Sequence, residues 1–251
     1  MPDNLYAGNR LCEGRAAIVI GAAGSGMGRS IALTLAREGA KVVVNYRSSQ
    51  ESALAICSHI NAAGGSAIAV QADVFTAEGC AALVKTTHDQ FGRVDICIIN
   101  PGAGWHPEPL EQLDSAGSLE DIQHETAPIL NLLPLLLPGM YGRQWGRIIG
   151  IAMHPGKLSP AYAYNLGKAA RMQALLLASE AAWKHGITLN VIAPGPVAGL
   201  PSLDEAISFS RLEAGWQSRS NITPQDIAEG VLFLCSEAGR FVTGCVLPYV
   251  F

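Results

Sequence analysis

Two side chains in the second half of the chain stand at a spacing that suits proton transfer. Tyr164 and Lys168 lie four positions apart in a segment with helical periodicity, so both fall on one face, one turn apart. A free tyrosine has a pKa of about 10 and is a poor acid or base at neutral pH. A neighbouring ammonium favours the phenolate and lowers that pKa. Tyr164 is the only tyrosine in the sequence with Lys at the fourth following position, which makes this pair a candidate catalytic site.

A glycine-rich run indicates a second kind of chemistry, the binding of a phosphate group. The run follows an apolar segment at 16–20 directly and precedes a helical pattern at 29–39. Glycine lets the main chain approach a pyrophosphate, and the N-terminus of the next helix supplies free N–H groups and a positive dipole. This context predicts a dinucleotide site, with contacts from Gly21, Ser25, Gly26, Met27 and Gly28.

The residues after the second apolar segment bear on which dinucleotide is bound. A carboxylate about 20 residues beyond the glycine run would bind the ribose 2′-hydroxyl of NAD. The sequence has Asn45 there instead, followed by Arg47, with Arg29 close to the glycine run. Two guanidinium groups and no repelling carboxylate favour a 2′-phosphate, so we expect NADP(H) to be preferred over NAD(H).

The elements that must position these residues alternate between strand and helix. Six β-branched runs are continuous in apolar residues, as strands buried on both faces require. Helical patterns separate them, which predicts an α/β fold: a single-domain, Rossmann-type, doubly wound parallel sheet with helices on both faces. We expect one catalytic domain over 1–251 and a lid at about 195–222. The predicted strands are 16–20, 41–45, 67–71, 95–100, 147–152 and 187–193, with a last strand at 242–248.

Composition excludes several classes of protein. With Lys+Arg 17 and Asp+Glu 21 the net charge is −4, and no basic cluster suggests a nucleic-acid partner. The longest apolar run, 129–140, is interrupted by one asparagine and two prolines and is too short to span a membrane. No secretory signal is visible at the N-terminus. Six cysteines without metal-site spacing indicate reduced thiols in a cytoplasmic protein, and no bound metal is predicted.

Six motifs in order resemble the short-chain dehydrogenase/reductase family, in particular its 3-oxoacyl-carrier-protein-reductase-like members. They are the glycine run, 72–74, 95–102, 146–149, the Tyr164–Lys168 pair and 194–197, and they cover nearly the whole chain. The resemblance implies that Tyr164 exchanges a proton with the substrate, while Lys168 lowers its pKa and holds the nicotinamide ribose. It also implies cofactor contacts from Asn45, Arg47, Asp73, Val74, Asn100, Gly102, Pro194 and Val197.

The chain departs from the family pattern at the positions that assist the tyrosine. The usual substrate-polarising serine falls on Met153, which cannot donate a hydrogen bond, and the asparagine of the proton relay falls on Glu125. The threonine that reaches the carboxamide becomes Gly199. A lost oxyanion donor is worth roughly 2.7–4 kcal/mol. His154 either supplies the missing oxyanion donor or is a loop histidine. Glu125 is either a buried acid or an exposed helix residue.

Three functions follow from these features. The first is an NADP-dependent enzyme acting on a small carbonyl or alcohol, with Met153, His154 and Trp105 near the substrate. The second is a dinucleotide-binding sensor or partner protein with little turnover, and the third is a non-redox lyase or dehalogenase-like enzyme. The apolar helix predicted at 161–184 and the helix near 122–136 imply, by the resemblance, a homodimer or homotetramer.

Overall fold

The computed structural model describes residues 9–102, 104–153, 161–211 and 221–249. Within these residues seven strands, β1 to β7 in chain order, are Ala16–Val19, Lys41–Tyr46, Ser66–Gln71, Ile96–Ile99, Gly146–Ile151, Ile187–Pro194 and Val246–Tyr249. Seven α-helices, α1 to α7, are Met27–Arg37, Gln50–Ala62, Ala77–Phe91, Ser115–Arg143, Tyr162–Ala182, Leu203–Ser210 and Pro224–Cys235.

All seven strands lie in one sheet. The order is β3-β2-β1-β4-β5-β6-β7, and each neighbouring pair is parallel. The order reverses between β1 and β4, so a crevice opens beyond the carboxyl ends of these two strands. Every residue of β1, β4, β5 and β6 is buried. The predicted doubly wound fold with strands covered on both faces is therefore confirmed.

The side chains of a single strand divide between two apolar layers. Ala17 and Val19 of β1 pack in a layer with α1, α2, α6 and α7, whereas Ile18 packs in a layer with α3, α4 and α5. Successive residues of a strand point to opposite faces, so one short apolar run serves both layers. This is why the runs are continuous in apolar residues and do not alternate with polar ones.

The last strand begins later than the sequence predicts. The predicted segment 242–248 becomes β7 at Val246–Tyr249, because its first residues bond to one side chain and one main-chain amide of β6 outside the strand ladder. Asn190 Nδ2 donates to Val242 O at 2.7 Å, and the amide of Leu189 donates to Thr243 Oγ1 at 3.1 Å. Gly244 then turns the chain with a φ of 67° before the strand can pair.

Helix α4 is longer than the pattern near 122–136 predicts. It runs for 29 residues from Ser115 to Arg143 and contains Pro128, Pro134 and Pro138. Each proline removes one main-chain donor from the helix, so the packing of α4 against α3 and α5 must offset that loss. In the described part of the chain, no helix is both long and apolar enough to cross a membrane.

Candidate active site

The residues singled out from the sequence gather at the carboxyl edge of the sheet. Gly21 follows β1, Arg47 follows β2, Asp73 follows β3 and Asn100 follows β4. Pro194 ends β6. Carboxyl ends of parallel strands share one edge, and ligands of open α/β sheets bind in the crevice outside it. Residues far apart in the chain are thus placed around the crevice between β1 and β4.

Two asparagines hold the glycine turn through hydrogen bonds to its main chain. Asn45 is buried, and its Nδ2 donates to Ala72 O at 3.1 Å and to Val70 O at 3.3 Å. Its Oδ1 accepts from the amide of Gly21 at 3.4 Å, and Asn100 Nδ2 donates to Gly21 O at 3.5 Å. Asn45 therefore fixes the turn through hydrogen bonds to main-chain atoms, and its contact with a cofactor stays a prediction.

The two arginines expected near a 2′-phosphate have different surroundings. Arg47 is exposed after β2, with its guanidinium 5.6 Å from the centre of the Phe75 ring. Arg29 is buried, and its Nη2 donates to the carbonyl oxygen of Leu200. The expectation that Arg29 helps to bind the phosphate is not met, because its guanidinium ties α1 to the segment before α6. Of these two arginines, Arg47 is the one that is exposed and accessible to a ligand.

The other predicted cofactor contacts lie beside this turn or along the same edge. Asp73 Oδ1 accepts from the amide of Phe75 at 3.0 Å, which shapes the chain after β3, and Val74 is buried. Val197 packs partly buried against the apolar layer of α1 and α7. Ser25 and Gly26 are exposed at the start of α1, Met27 is half-buried, and Gly28 is buried.

Tyr164 and Lys168 lie on the same face of α5, as their spacing predicts. Lys168 Nζ lies 5.2 Å from the centre of the Tyr164 ring. Tyr164 is half-buried, whereas Lys168 is buried. Helix α5 begins at Tyr162, so Tyr164 lies in its first turn, at the carboxyl edge of the sheet. A phenol and an ammonium side by side at this edge form a candidate proton-transfer pair.

Glu125 of α4 is buried and binds two cations of α5. Its Oε1 lies 3.0 Å from Lys168 Nζ, and its Oε2 lies 2.8 Å from Arg171 Nε. The side chains of Glu125 and Arg171 are 0% exposed and that of Lys168 is 8% exposed. Of the two environments that the sequence left open for Glu125, the structure has the buried one. We call these three residues the buried charge cluster.

The charge cluster alters the pKa values of the proton-transfer pair. Burial, and after it the neighbouring Arg171, lower the pKa of Lys168 to about 8, with Glu125 acting in the opposite direction. The pKa of Tyr164 is raised, first by burial and then by Glu125, with Arg171 acting in the opposite direction. The pKa of Tyr164 is thus raised and not lowered as expected, chiefly because the phenol is partly buried and next because a carboxylate stands at position 125 where a neutral amide was expected.

Arg171 is a residue that the sequence patterns did not single out. Its guanidinium donates to Ile151 O at 3.0 Å, to Asn100 O at 3.4 Å and to the carbonyl oxygen of Pro101. It thus fastens α5 to the chain that leaves β4 and to the end of β5. One signal in the sequence could have found it: Arg171 lies about one turn beyond Lys168 in an apolar helix. An arginine buried in such a helix requires a charged partner.

The residues expected near a substrate are only partly described. Met153 follows β5 and is half-buried, and Trp105 is 56% exposed. His154 lies outside the described residues. A cavity of about 440 Å³ opens beside Ala163, the neighbour of Tyr164. Carboxylates and histidines contribute much of its wall, including Glu108, Asp114, Glu120, Asp121, His106 and His124.

Comparison with known proteins identifies the family. Residues 21–249 match the family model described as enoyl-(acyl carrier protein) reductase. The chain is 35% identical to an uncharacterized oxidoreductase of Methylorubrum extorquens, over 94% of this chain and 96% of that protein. It is 32% identical to the 3-oxoacyl-[acyl-carrier-protein] reductase of Staphylococcus aureus, over 92% of this chain and 94% of the relative.

A solved structure gives the same result for the fold. A 7α-hydroxysteroid dehydrogenase, complexed with NADH and 7-oxo glycochenodeoxycholic acid, superposes with a TM-score of 0.82 at 28% identity. The match covers 96% of this chain and 94% of that one. Motif order, sheet topology and relatives agree, and the chain belongs to the short-chain dehydrogenase/reductase family of oxidoreductases, which bind nicotinamide dinucleotides.

Proposed function

We propose that this protein is an NADP(H)-dependent enzyme that interconverts a small carbonyl compound and its alcohol, with Tyr164 as the proton donor or acceptor. The observation that carries the proposal is the pairing of Tyr164 with buried Lys168 at the carboxyl edge of the sheet. A general acid must reach the reacting atom and hold its proton until it is needed. Tyr164, half-buried in the first turn of α5, meets the second requirement because burial favours its neutral form.

The glycine turn fits the phosphates of a dinucleotide. Gly26 directly precedes α1 and has no side chain that could cap the helix. A Cβ built on Gly26 would meet no atom within 4 Å. The first amides of α1 thus donate no hydrogen bond to a capping side chain, and a pyrophosphate beside them would benefit from the helix dipole. When bound there, the nicotinamide would exchange a hydride with the substrate carbon. Lys168 would hold the ribose, and Asn100, Gly102, Pro194 and Val197 would border the site.

The proton moves through the tyrosine hydroxyl. In the reductive direction Tyr164 Oη would give its proton to the carbonyl oxygen of a substrate whose carbon receives a hydride from the bound nucleotide. Tyr164 would be left as a phenolate, which would regain a proton from water. In the oxidative direction the phenolate takes the hydroxyl proton. Met153 offers no hydrogen bond to the substrate oxygen, so the developing charge depends more heavily on Tyr164 than it would beside a serine.

Cofactor preference depends on Arg47 in this account. We expect NADPH to bind at least about tenfold more tightly than NADH, a difference of roughly 1.4 kcal/mol. Arg47→Ala should remove most of this preference, because the exposed guanidinium is the one available to a 2′-phosphate. Fluorescence titrations with both nucleotides measure the effect, and Arg240→Ala, which removes an exposed arginine outside the crevice and the lid segment, is the control. Equal affinities in the parent protein would contradict the assignment.

A second candidate function is that of a dinucleotide-binding protein with little turnover. Met153 favours it, because a thioether replaces a hydrogen-bond donor expected at that position. A panel of aldehydes and ketones, assayed with NADPH at high protein concentration, separates the two. Formation of the alcohol with consumption of NADPH supports the reductase. NADPH binding with no turnover of any compound supports the second candidate, and no binding supports the non-redox alternative.

The outer faces of α4 and α5 support assembly into a homodimer or homotetramer. Leu130 of α4 and Leu177 of α5 are each 63% exposed, and Leu166 is 44% exposed. A helix that has apolar residues outside the core of its own domain needs a further surface to cover them. We expect sedimentation velocity at micromolar concentration to give a dimer or tetramer, and Leu177→Glu to shift it toward the monomer. A monomeric parent protein would contradict this expectation.

Two further expectations complete the proposal. Part of the segment 195–222 closes over the crevice as a lid, and Arg29 anchors its start through Leu200. Residues 212–220 of this segment lie outside the described part of the chain. A cytoplasmic location agrees with five buried free thiols, at Cys12, Cys57, Cys80, Cys97 and Cys235.

A further inference from the structure

The buried charge cluster contains a carboxylate that the proton transfer described above does not use. Glu125 contributes one negative charge and lies between two positive groups, Lys168 at 3.0 Å and Arg171 at 2.8 Å. A buried carboxylate stays ionised only where cations and hydrogen bonds compensate for lost hydration. Both cations belong to α5 and the carboxylate belongs to α4. The cluster thus joins α4 to α5 beside the ring of Tyr164.

The surrounding chain is shaped to accept this side chain. Gly102, which follows β4, lies so close that a Cβ built on it would collide with the Glu125 carboxylate. Gly167 of α5 lies on the other side, and a Cβ there would be 2.8 Å from Glu125 Cγ. A side chain at either position would displace Glu125 from Lys168. Two glycines on separate elements therefore preserve the space that the carboxylate fills.

We propose that Glu125 is a positioning residue: it binds the ammonium of Lys168 beside Tyr164 and opposes a second negative charge on the phenol, so that alcohol oxidation at this site needs a more alkaline solution than it would with a neutral side chain at position 125. The inference rests on the proposed oxidoreductase function. Carbonyl reduction consumes the phenol proton, whereas alcohol oxidation requires the phenolate. Glu125 would then slow proton acceptance by Tyr164 relative to proton donation at a given pH.

The electrostatics of the cluster support this role. In the described residues, the charged groups that bear on Tyr164 are Glu125 from α4 and Lys168 and Arg171 from α5. Glu125 raises the pKa of Tyr164 after the larger effect of burial, and Arg171 lowers it. A carboxylate opposes a second negative charge nearby, so phenolate formation is disfavoured while Glu125 is ionised. Removing the carboxylate should therefore make the phenolate easier to form.

The test is Glu125→Gln, which keeps the shape of the side chain and removes its charge. The titration of Tyr164 is isolated as the difference in phenolate absorbance between each protein and the same protein carrying Tyr164→Phe. We expect the midpoint for Tyr164 to fall by about one pH unit. The pH at which alcohol oxidation with NADP⁺ reaches half of its maximum should fall with it. Glu51→Gln, which removes an exposed carboxylate on α2, should change neither value.

A second variant keeps the inference testable if Glu125→Gln does not fold. Replacing Glu125 and Arg171 by Gln together removes one charge of each sign and leaves Lys168. The midpoint for Tyr164 should again fall, by a smaller amount, because Arg171 opposes Glu125. A midpoint that stays constant or rises in the folded variant overturns the inference. A lower midpoint in a protein that turns over no carbonyl or alcohol supports the role of Glu125 and contradicts the proposed function.

Discussion

Replacing Tyr164 by Phe is expected to lower the rate of carbonyl reduction by about 10²–10⁴-fold, the range for loss of a general acid. The substitution removes only the hydroxyl and leaves the half-buried ring against Lys168. NADPH affinity should therefore stay nearly constant, because the ammonium and the glycine turn are unchanged. Steady-state NADPH oxidation measures the first effect, and fluorescence titration of the nucleotide measures the second.

Tyr162 provides the matched control. It lies two residues away in the same helical turn and is 47% exposed. Tyr162→Phe removes the same hydroxyl group without touching the charge cluster, so its rate should equal that of the parent protein. Full activity in Tyr164→Phe would defeat the mechanism. Equal losses in both variants would show that α5 tolerates neither change, rather than that Tyr164 transfers the proton.

Arg171→Met should produce the largest loss of stability. The guanidinium is fully buried, pairs with Glu125 and donates to main-chain oxygens after β4 and at the end of β5. Removing one partner of a buried ion pair costs about 3–5 kcal/mol, and here the carboxylate of Glu125 would keep Lys168 but lose the cation at 2.8 Å. Chemical denaturation of the variant and the parent protein measures the change in the free energy of unfolding.

The double variant Arg171→Met with Glu125→Gln separates the ion pair from simple packing. If the cost arises from a buried carboxylate that has lost one of its two cations, the double variant should be more stable than the sum of the two single losses predicts. Arg240→Met, at an exposed arginine, should change stability by less than about 0.5 kcal/mol. Additive losses in the double variant would contradict the coupling between Glu125 and Arg171.

The sequence was sufficient to predict the sheet and the carboxyl edge. Strands that are covered on both faces require continuous apolar runs. The runs that form β1, β4, β5 and β6 could therefore be recognised in the sequence. The spacing of Tyr164 and Lys168 predicted their contact, because residues four apart in a helix are neighbours. These features depend on local periodicity and are insensitive to distant residues.

The surroundings of charged side chains could not be predicted in the same way. The burial of Glu125 depends on Arg171, which lies 46 residues later in the chain, and on space left by Gly102. Arg29 was expected to face a phosphate, but the carbonyl of Leu200, 171 residues away, accepts its hydrogen bond. Such pairings are set by the packing of α4 on α5 and of α1 on the lid segment.

Transfer of deuterium from labelled NADPH tests the central claim most directly. The parent protein would be incubated with NADPH carrying deuterium in place of both hydrogens at C4 and with the best carbonyl compound of the panel. The account predicts an alcohol that carries one deuterium on the former carbonyl carbon, formed in equal amount to the NADP⁺ produced. An alcohol without deuterium, or no alcohol from any compound while NADPH remains bound, would contradict it.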